Sequence, residues 1–249
     1  MTPLSVIVIT RNEERNIVAC LDSVKWAEEI VVVDAESTDA TAAMARQFTQ
    51  KVFVEPWKNF SEAKEFAVTK SRHEWILWID ADERVTPELA TEIQSLLNSM
   101  PSKAAYSIAR RAFFLGRWMK HSGWYPGRVA RLFRKGSASF SSVAVHEGLN
   151  VQGPVGELRN DLLHFTDPNL YHYMGKFNRY TTLASKDSFE SGRRFRPVDL
   201  FVRPPWLFFK MYIVRLGFLD GVPGLLLAFL SSAYVFTKYA KLWEAWNSR

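Results

Sequence analysis

Four short apolar runs punctuate the first eighty positions: Leu4 to Ile9, Ile30 to Val33, Val52 to Val54 and Trp75 to Ile79. They are rich in β-branched and aromatic residues and flanked by polar ones, the pattern of strands buried on both faces. Between them the spacing turns helical. Asn12 followed by two acids reads as a helix start, with Ile17, Val18, Leu21 and Val24 recurring on one face. Ser37-Thr38-Asp39 reads as the cap of a helix reaching about Phe48, and a further helix covers roughly 61–70. Thr86-Pro87-Glu88 has the form of an N-cap, an N1 proline and a first-turn acid, opening a helix to about Asn98. Strands alternating with helices predict βαβ units and an α/β domain built on a mostly parallel sheet.

The texture changes after residue 100. Residues 106–114 and 129–134 read as strands, separated by an aromatic, glycine-rich loop from Gly116 to Gly127 that contains Trp118, His121, Trp124 and Tyr125. Val143 to Gly148 reads as another short strand. From Tyr171 the pattern is helical, over about 171–190, 205–219 and 222–243. The predicted division is an α/β domain over 1–165 and a helical region over 166–249.

Three acids close predicted strands: Asp34, Asp80 and Asp82. In a doubly wound sheet such ends converge on one crevice, where ligands bind. Asp34 is placed either to hydrogen-bond a nucleoside or to form an Asx-turn or helix cap. Asp80 and Asp82, with Glu83 beside them, repel one another unless a cation neutralises them, and hard oxygen ligands suit Mg²⁺ or Mn²⁺. The alternative is an acidic strand-to-helix turn. No G-x-G-x-x-G or Walker A loop follows any strand, which disfavours a dinucleotide or P-loop site.

Composition narrows the class. Hydrophobic residues make up 47% of 249, ample for a packed core. The single cysteine, Cys20, excludes an intramolecular disulfide framework and fits a reducing compartment. The first residues read as a strand, not as a leader, which points to the cytoplasm. Residues 1–100 carry 10 basic and 17 acidic side chains, residues 101–249 carry 22 and 9, so the basic excess is confined to the second part. Such a surface suits phosphates on nucleic acid, an anionic substrate or anionic lipid.

Ile9-Thr10-Arg11-Asn12-Glu13, Val32 to Asp39 and Ile79-Asp80-Ala81-Asp82-Glu83, in this order and spacing, resemble the family 2 inverting glycosyltransferases of the GT-A fold. Arg131 to Arg134 and Val145-His146-Glu147 extend the resemblance over most of the chain, toward the branch of lipopolysaccharide-core β-1,4-glucosyltransferases. It implies a nucleotide half over about 1–100 and an acceptor half over 101–165. Thr10, Arg11 and Asp34 would line the nucleoside pocket. Lys64 falls where such enzymes often carry an arginine toward the nucleotide, followed by Glu65 where asparagine is common. Asp80 would face the ribose or the metal, Asp82 would bind the divalent cation on the diphosphate, and Glu147 stands near the catalytic carboxylate. The implied donor is a nucleotide sugar, UDP-glucose in that branch. The implied acceptor is a lipid-linked saccharide such as the lipopolysaccharide inner core.

The residues themselves leave other assignments open. His146 reads as a third metal ligand, an acceptor contact or a structural histidine, and His164 has the same ambiguity. Trp124, Arg128 and Arg131 read as an acceptor wall or as an aromatic minicore with solvated arginines. Gly221 to Thr237 lacks charge for 17 residues, about 26 Å of helix and just short of a bilayer span. Arg193, Arg194, Arg196 and Arg203 precede it. An apolar helical pair beside a basic cluster predicts peripheral or monotopic attachment to an anionic inner-leaflet surface; the alternative is a hairpin buried in the protein or in a homo-oligomer. A nucleotidyltransferase with the same acidic site, a nucleic-acid-binding protein and a silent membrane scaffold are the competing classes. The lack of any helix-turn-helix, zinc or RRM signature argues against nucleic acid.

Overall fold

The computed structural model describes residues 2–140 and 148–248. Its first strand, β1 (Leu4–Thr10), is buried along its whole length, as its apolar run requires. There follow α1 (Ile17–Asp22), β2 (Glu29–Asp34), α2 (Thr41–Ala45), β3 (Val52–Val54), α3 (Phe60–Lys70), β4 (Trp75–Asp80), β5 (Glu83–Val85) and α4 (Pro87–Asn98). Next come β6 (Ala105–Phe114), β7 (Arg117–Trp118), β8 (Gly127–Arg134), β9 (Ala138–Phe140), β10 (Leu149–Val151) and β11 (Val155–Asp167). The chain then turns helical with α5 (Leu170–Glu190), α6 (Pro197–Phe201), α7 (Arg203–Phe209), a π-helical turn (Lys210–Val214), a 3-10 turn (Gly217–Asp220) and α8 (Gly221–Asn247).

The main sheet has the order β3-β2-β1-β4-β8-β6-β11-β5, with β7 paired to β6. Strands β3, β2, β1 and β4 run parallel, and β8 joins β4 antiparallel. Because β1 lies between β2 and β4, Thr10 stands beside Asp34 and Ile9 beside Asp80. The order therefore reverses at β1, and three carboxyl ends open on one edge. Strand alternation sorts the core into two layers: Val6, Val8, Leu77 and Ile79 face Ile17, Leu21, Leu89 and Ile93. Ile7, Ile9, Val31 and Trp78 face Ala67 and Phe133 on the other side.

The chain forms two compact units, Met1–Arg110 with Arg128–His164, and Arg111–Gly127 with Phe165–Arg249. The loop at 111–127, expected in the acceptor half, thus belongs with the C-terminal helices. Asp220 pins it within that unit, accepting from the His121 backbone N–H at 2.9 Å and facing His121 Nδ1 at 2.8 Å. The single helix expected over 205–219 is broken into α7, the π turn and the 3-10 turn, with Leu216 at φ 55° between the last two. At α8, a side chain at Gly224 would collide with the Gly217 carbonyl, so only glycine permits this approach. The expected strand at 143–148 falls almost wholly outside the described residues.

Candidate active site

The edge where β1, β2 and β4 end is built from two loops tied to each other. Asn12, at φ 55°, donates its N–H to Ser37 Oγ at 2.8 Å and accepts at Oδ1 from the Thr38 N–H at 2.8 Å. Glu13 N–H donates to Thr41 Oγ1, and Glu14 N–H to Asp39 Oδ2. These bonds occupy the backbone where the sequence predicted helix starts. Accordingly α1 begins only at Ile17 and α2 only at Thr41. Asp34 is buried; its Oδ1 accepts from Ser37 N–H and its Oδ2 from Ser37 Oγ. These bonds, to the third residue on, hold the second loop in place. Thr10 is buried beside it, and among the described residues its Oγ1 has no hydrogen-bond partner. Arg11 reaches outward over the Trp57 ring, 5.8 Å from its centroid.

Below this edge lies a charged cluster centred on Arg131. Its guanidinium is 1% exposed and binds Asp80 Oδ2 at 2.8 Å and Glu83 Oε1 at 2.5 Å. It also stacks 3.5 Å from the centroid of the Trp78 ring, over which Lys64 Nζ sits 4.1 Å away. Glu83 is wholly buried; its Oε2 accepts from Asp80 N–H at 2.9 Å and Arg110 approaches its other oxygen at 3.8 Å. Burial works against a charged Asp80, yet the Arg131 guanidinium, with Lys64 nearby, holds its carboxyl well below the usual carboxylate range. Asp80 keeps 36% of its side chain exposed, and among the described residues its Oδ1 accepts no hydrogen bond.

The turn after β4 leads into β5, which pairs antiparallel with β11 and sets Glu83 opposite His164. His164 Nε2 thereby comes within 3.5 Å of Asp82 Oδ2. Burial disfavours charge on His164, but its contact with Asp82 and the nearby Glu83 carry its pKa above the ordinary imidazole value. Arg84 braces the turn, donating to the carbonyls of Ala81 and Glu83 and to Asn16 Oδ1.

Two ligands of one octahedral cation stand about 3 Å apart when each lies about 2.1 Å from it, so Asp82 and His164, 3.5 Å apart as an ion pair, would have to draw closer, with Nε2 deprotonated, to share a divalent ion. Among the described residues no three His, Cys, Asp or Glu side chains enclose such an ion. The remaining positions would therefore fall to substrate oxygens and water, the usual habit of Mg²⁺.

Several expectations change. Arg131 does not belong to an acceptor wall: it is buried, and its charge serves Asp80 and Glu83. Arg128 donates to the Leu158 carbonyl and pairs with Glu157. Trp124 packs in the core of the second unit, edge-on to Phe114. Asp80, proposed for ribose or metal, is held by Arg131 on one oxygen. Glu65 accepts from the Phe140 N–H at 2.7 Å, so it anchors β9. His146 and Glu147 lie outside the described residues. Sequence reasoning left His164 ambiguous, named Glu83 only as a third acid beside the pair, and gave Trp78 and Arg84 no role.

Comparison with known proteins agrees with this architecture. The profile described as Glycosyl transferase family 2 matches residues 5–201. The Rhizobium meliloti lipopolysaccharide core biosynthesis glycosyltransferase LpsC is 32% identical over 252 residues, 96% of this chain and 93% of the relative. An uncharacterized glycosyltransferase of Rickettsia felis is 29% identical over 257 residues, 98% of this chain and 91% of the relative. Among solved structures, Staphylococcus aureus TarS residues 1–349 in complex with UDP superposes with a TM-score of 0.52 at 15% identity, covering 99% of this chain and 91% of that one. The chain thus belongs to glycosyl transferase family 2, as a glycosyltransferase of GT-A fold related to lipopolysaccharide core biosynthesis.

Proposed function

We propose that the protein transfers a sugar from a nucleotide sugar, with UDP-glucose the first candidate, to a lipid-linked saccharide of the lipopolysaccharide core, with inversion at the anomeric carbon. The observation that carries this reading is the Asp82–His164 pair at the end of β4, 3.5 Å apart, beside the exposed oxygen of Asp80. Thr10, its hydroxyl unpartnered among the described residues, and Arg11 with Trp57 would receive the nucleoside. Asp34 would act there mainly by fixing the loop through Ser37. Asp80 would accept from a ribose hydroxyl, its negative charge secured by Arg131.

In the proposed reaction the acceptor hydroxyl oxygen attacks C1 of the donor, the bond from C1 to the phosphate oxygen breaks, and the nucleoside diphosphate departs. Glu147 is the proposed base that takes the hydroxyl proton. A divalent cation held by Asp82 and His164 would offset the charge growing on the departing diphosphate. One displacement converts an α-linked donor into a β-linked product. UDP is the first nucleotide to try because it occupies TarS, a protein of the same fold. Association with the inner face of a membrane would bring the enzyme to a lipid-linked acceptor.

The test is product formation from a panel of nucleotide sugars with a lipopolysaccharide-core acceptor. Chelator should abolish turnover and added Mg²⁺ or Mn²⁺ restore it. Asp82→Asn should lower kcat/KM by about 10²–10³-fold while the protein still folds. Turnover indifferent to both treatments would overturn the assignment.

A further inference from the structure

The helical unit contains a cavity of about 470 Å³, within the usual range of small-ligand sites, roughly 300–1,000 Å³. Its lining includes the apolar Leu207 and Met211 and the aromatic Trp124, Tyr173 and Tyr234. Lys210 and Arg215 border it, and among the described residues no Asp or Glu lines it.

These two cations differ from their neighbours. In the same unit Arg193 and Arg203 both bind the buried Asp199, and Lys176 lies against Asp167. Those charges neutralise internal acids. Lys210 and Arg215 have no acidic partner among the described residues, and both stand exposed. The backbone fixes their separation: Arg215 N–H donates to the Lys210 carbonyl at 2.8 Å, closing the π-helical turn with one cation at each end. Such turns are rare and recur at functional sites. The loop beside the cavity is tied to the same turn: the Ser122 N–H donates to the Arg215 carbonyl at 2.9 Å.

We infer that this cavity binds an amphiphile carrying a phosphate monoester: the phosphate on Lys210 and Arg215, the body against the aromatic lining. A phosphate monoester carries a charge between −1.5 and −2 near neutrality, matching two cations, and its oxygens accept the planar arginine fork in pairs. The apolar lining and the exposed Phe209, Ile213 and Val214 on the same segment suit a lipid stem. This site is separate from the donor chemistry proposed above. Its test reads binding, not turnover, so either can fail alone.

The experiment is calorimetric titration of the full chain with dihexanoyl phosphatidic acid below its micellar concentration. The arms are dihexanoyl phosphatidylcholine, inorganic phosphate and glucose 1-phosphate. Saturable one-to-one binding of the phosphatidic acid is expected. Lys210→Gln with Arg215→Gln should weaken it about tenfold or more, and Ser231→Phe should block it by filling the cavity. Arg179→Gln with Lys186→Gln, exposed on α5, should leave it unchanged. Tighter binding of glucose 1-phosphate than of the lipid would keep the phosphate site and assign the body to a sugar; equal binding of inorganic phosphate would remove the amphiphile. Equal affinity for phosphatidylcholine, or equal losses in both arginine–lysine pairs, would overturn the site. Should Ser231→Phe fail to fold, the exposed Lys210 and Arg215 variants decide.

Discussion

Arg131 sets the electrostatics of the active edge. A fully buried guanidinium is favourable only while its acidic partners are present, because Arg131 and Glu83 were both removed from water to form the cluster. Arg131→Met should therefore destabilise the protein by roughly 3–5 kcal/mol, the usual cost of stranding a buried partner. Arg131→Lys should recover part of this, since it restores the charge without the planar fork that spans two carboxylates. The double variant Arg131→Met with Glu83→Gln should be less destabilised than the sum of its single changes. Denaturant unfolding of the wild type, Arg131→Met, Glu83→Gln and the double variant measures this, and additive losses would exclude the coupling. The sequence offered Arg131 as an acceptor contact because an arginine clamps phosphate or carboxylate. Its burial follows from the antiparallel register of β8 on β4, which sets Leu132 against Leu77. That pairing spans more than fifty positions and leaves no local trace.

At the level of elements, the paired loops after β1 and β2 carry the motif that the sequence read as helix caps. Asn12 holds both of them and does so in the left-handed region, where asparagine is among the few side chains tolerated. Asn12→Ala should raise the KM for the nucleotide sugar severalfold, at a cost of about 1–2 kcal/mol in lost bonds and backbone strain. Asn12→Gly keeps the conformation without the side-chain bond and should fall between. Steady-state kinetics with both variants separate the two terms, and an unchanged KM in Asn12→Ala would show that the loops are held elsewhere. The strands bearing Thr10, Asp34 and Asp80 were legible because continuous apolar runs announce buried parallel strands. Strand β11 was not. Its buried positions, Leu158, Asp161, Leu162 and Asp167, follow no clean alternation, and its partner β5 is three residues long. The Asp82–His164 approach depends on that pairing, so the sequence could list His164 but not join it to Asp82.

At the scale of the molecule, the C-terminal helices present a surface that water alone does not suit. Residues 217–247 form a helix long and apolar enough to cross a membrane, yet only 22% of its most apolar window is buried. Along α8 the exposed large side chains are Val222, Leu225, Phe229, Phe236 and Trp243, spaced so that they form one stripe. The opposite stripe, Gly224, Leu227, Ala228 and Leu242, is buried. A core helix would bury both. Trp206, Phe209 and Phe218 add aromatic surface within the same unit, and the basic excess lies after residue 100. Apolar surface supplemented by basic charge is the composition of a lipid-interface helix. The protein should therefore co-sediment with vesicles containing phosphatidylglycerol, more weakly with phosphatidylcholine alone. Val222→Glu with Phe229→Glu should lower the partition coefficient by about tenfold or more, because two apolar anchors become charges. High salt should weaken binding only in part, since burial of the stripe is not screened. A wild-type protein that stays in the supernatant as a dimer, and becomes monomeric in this double variant, would assign the stripe to a second copy of the chain.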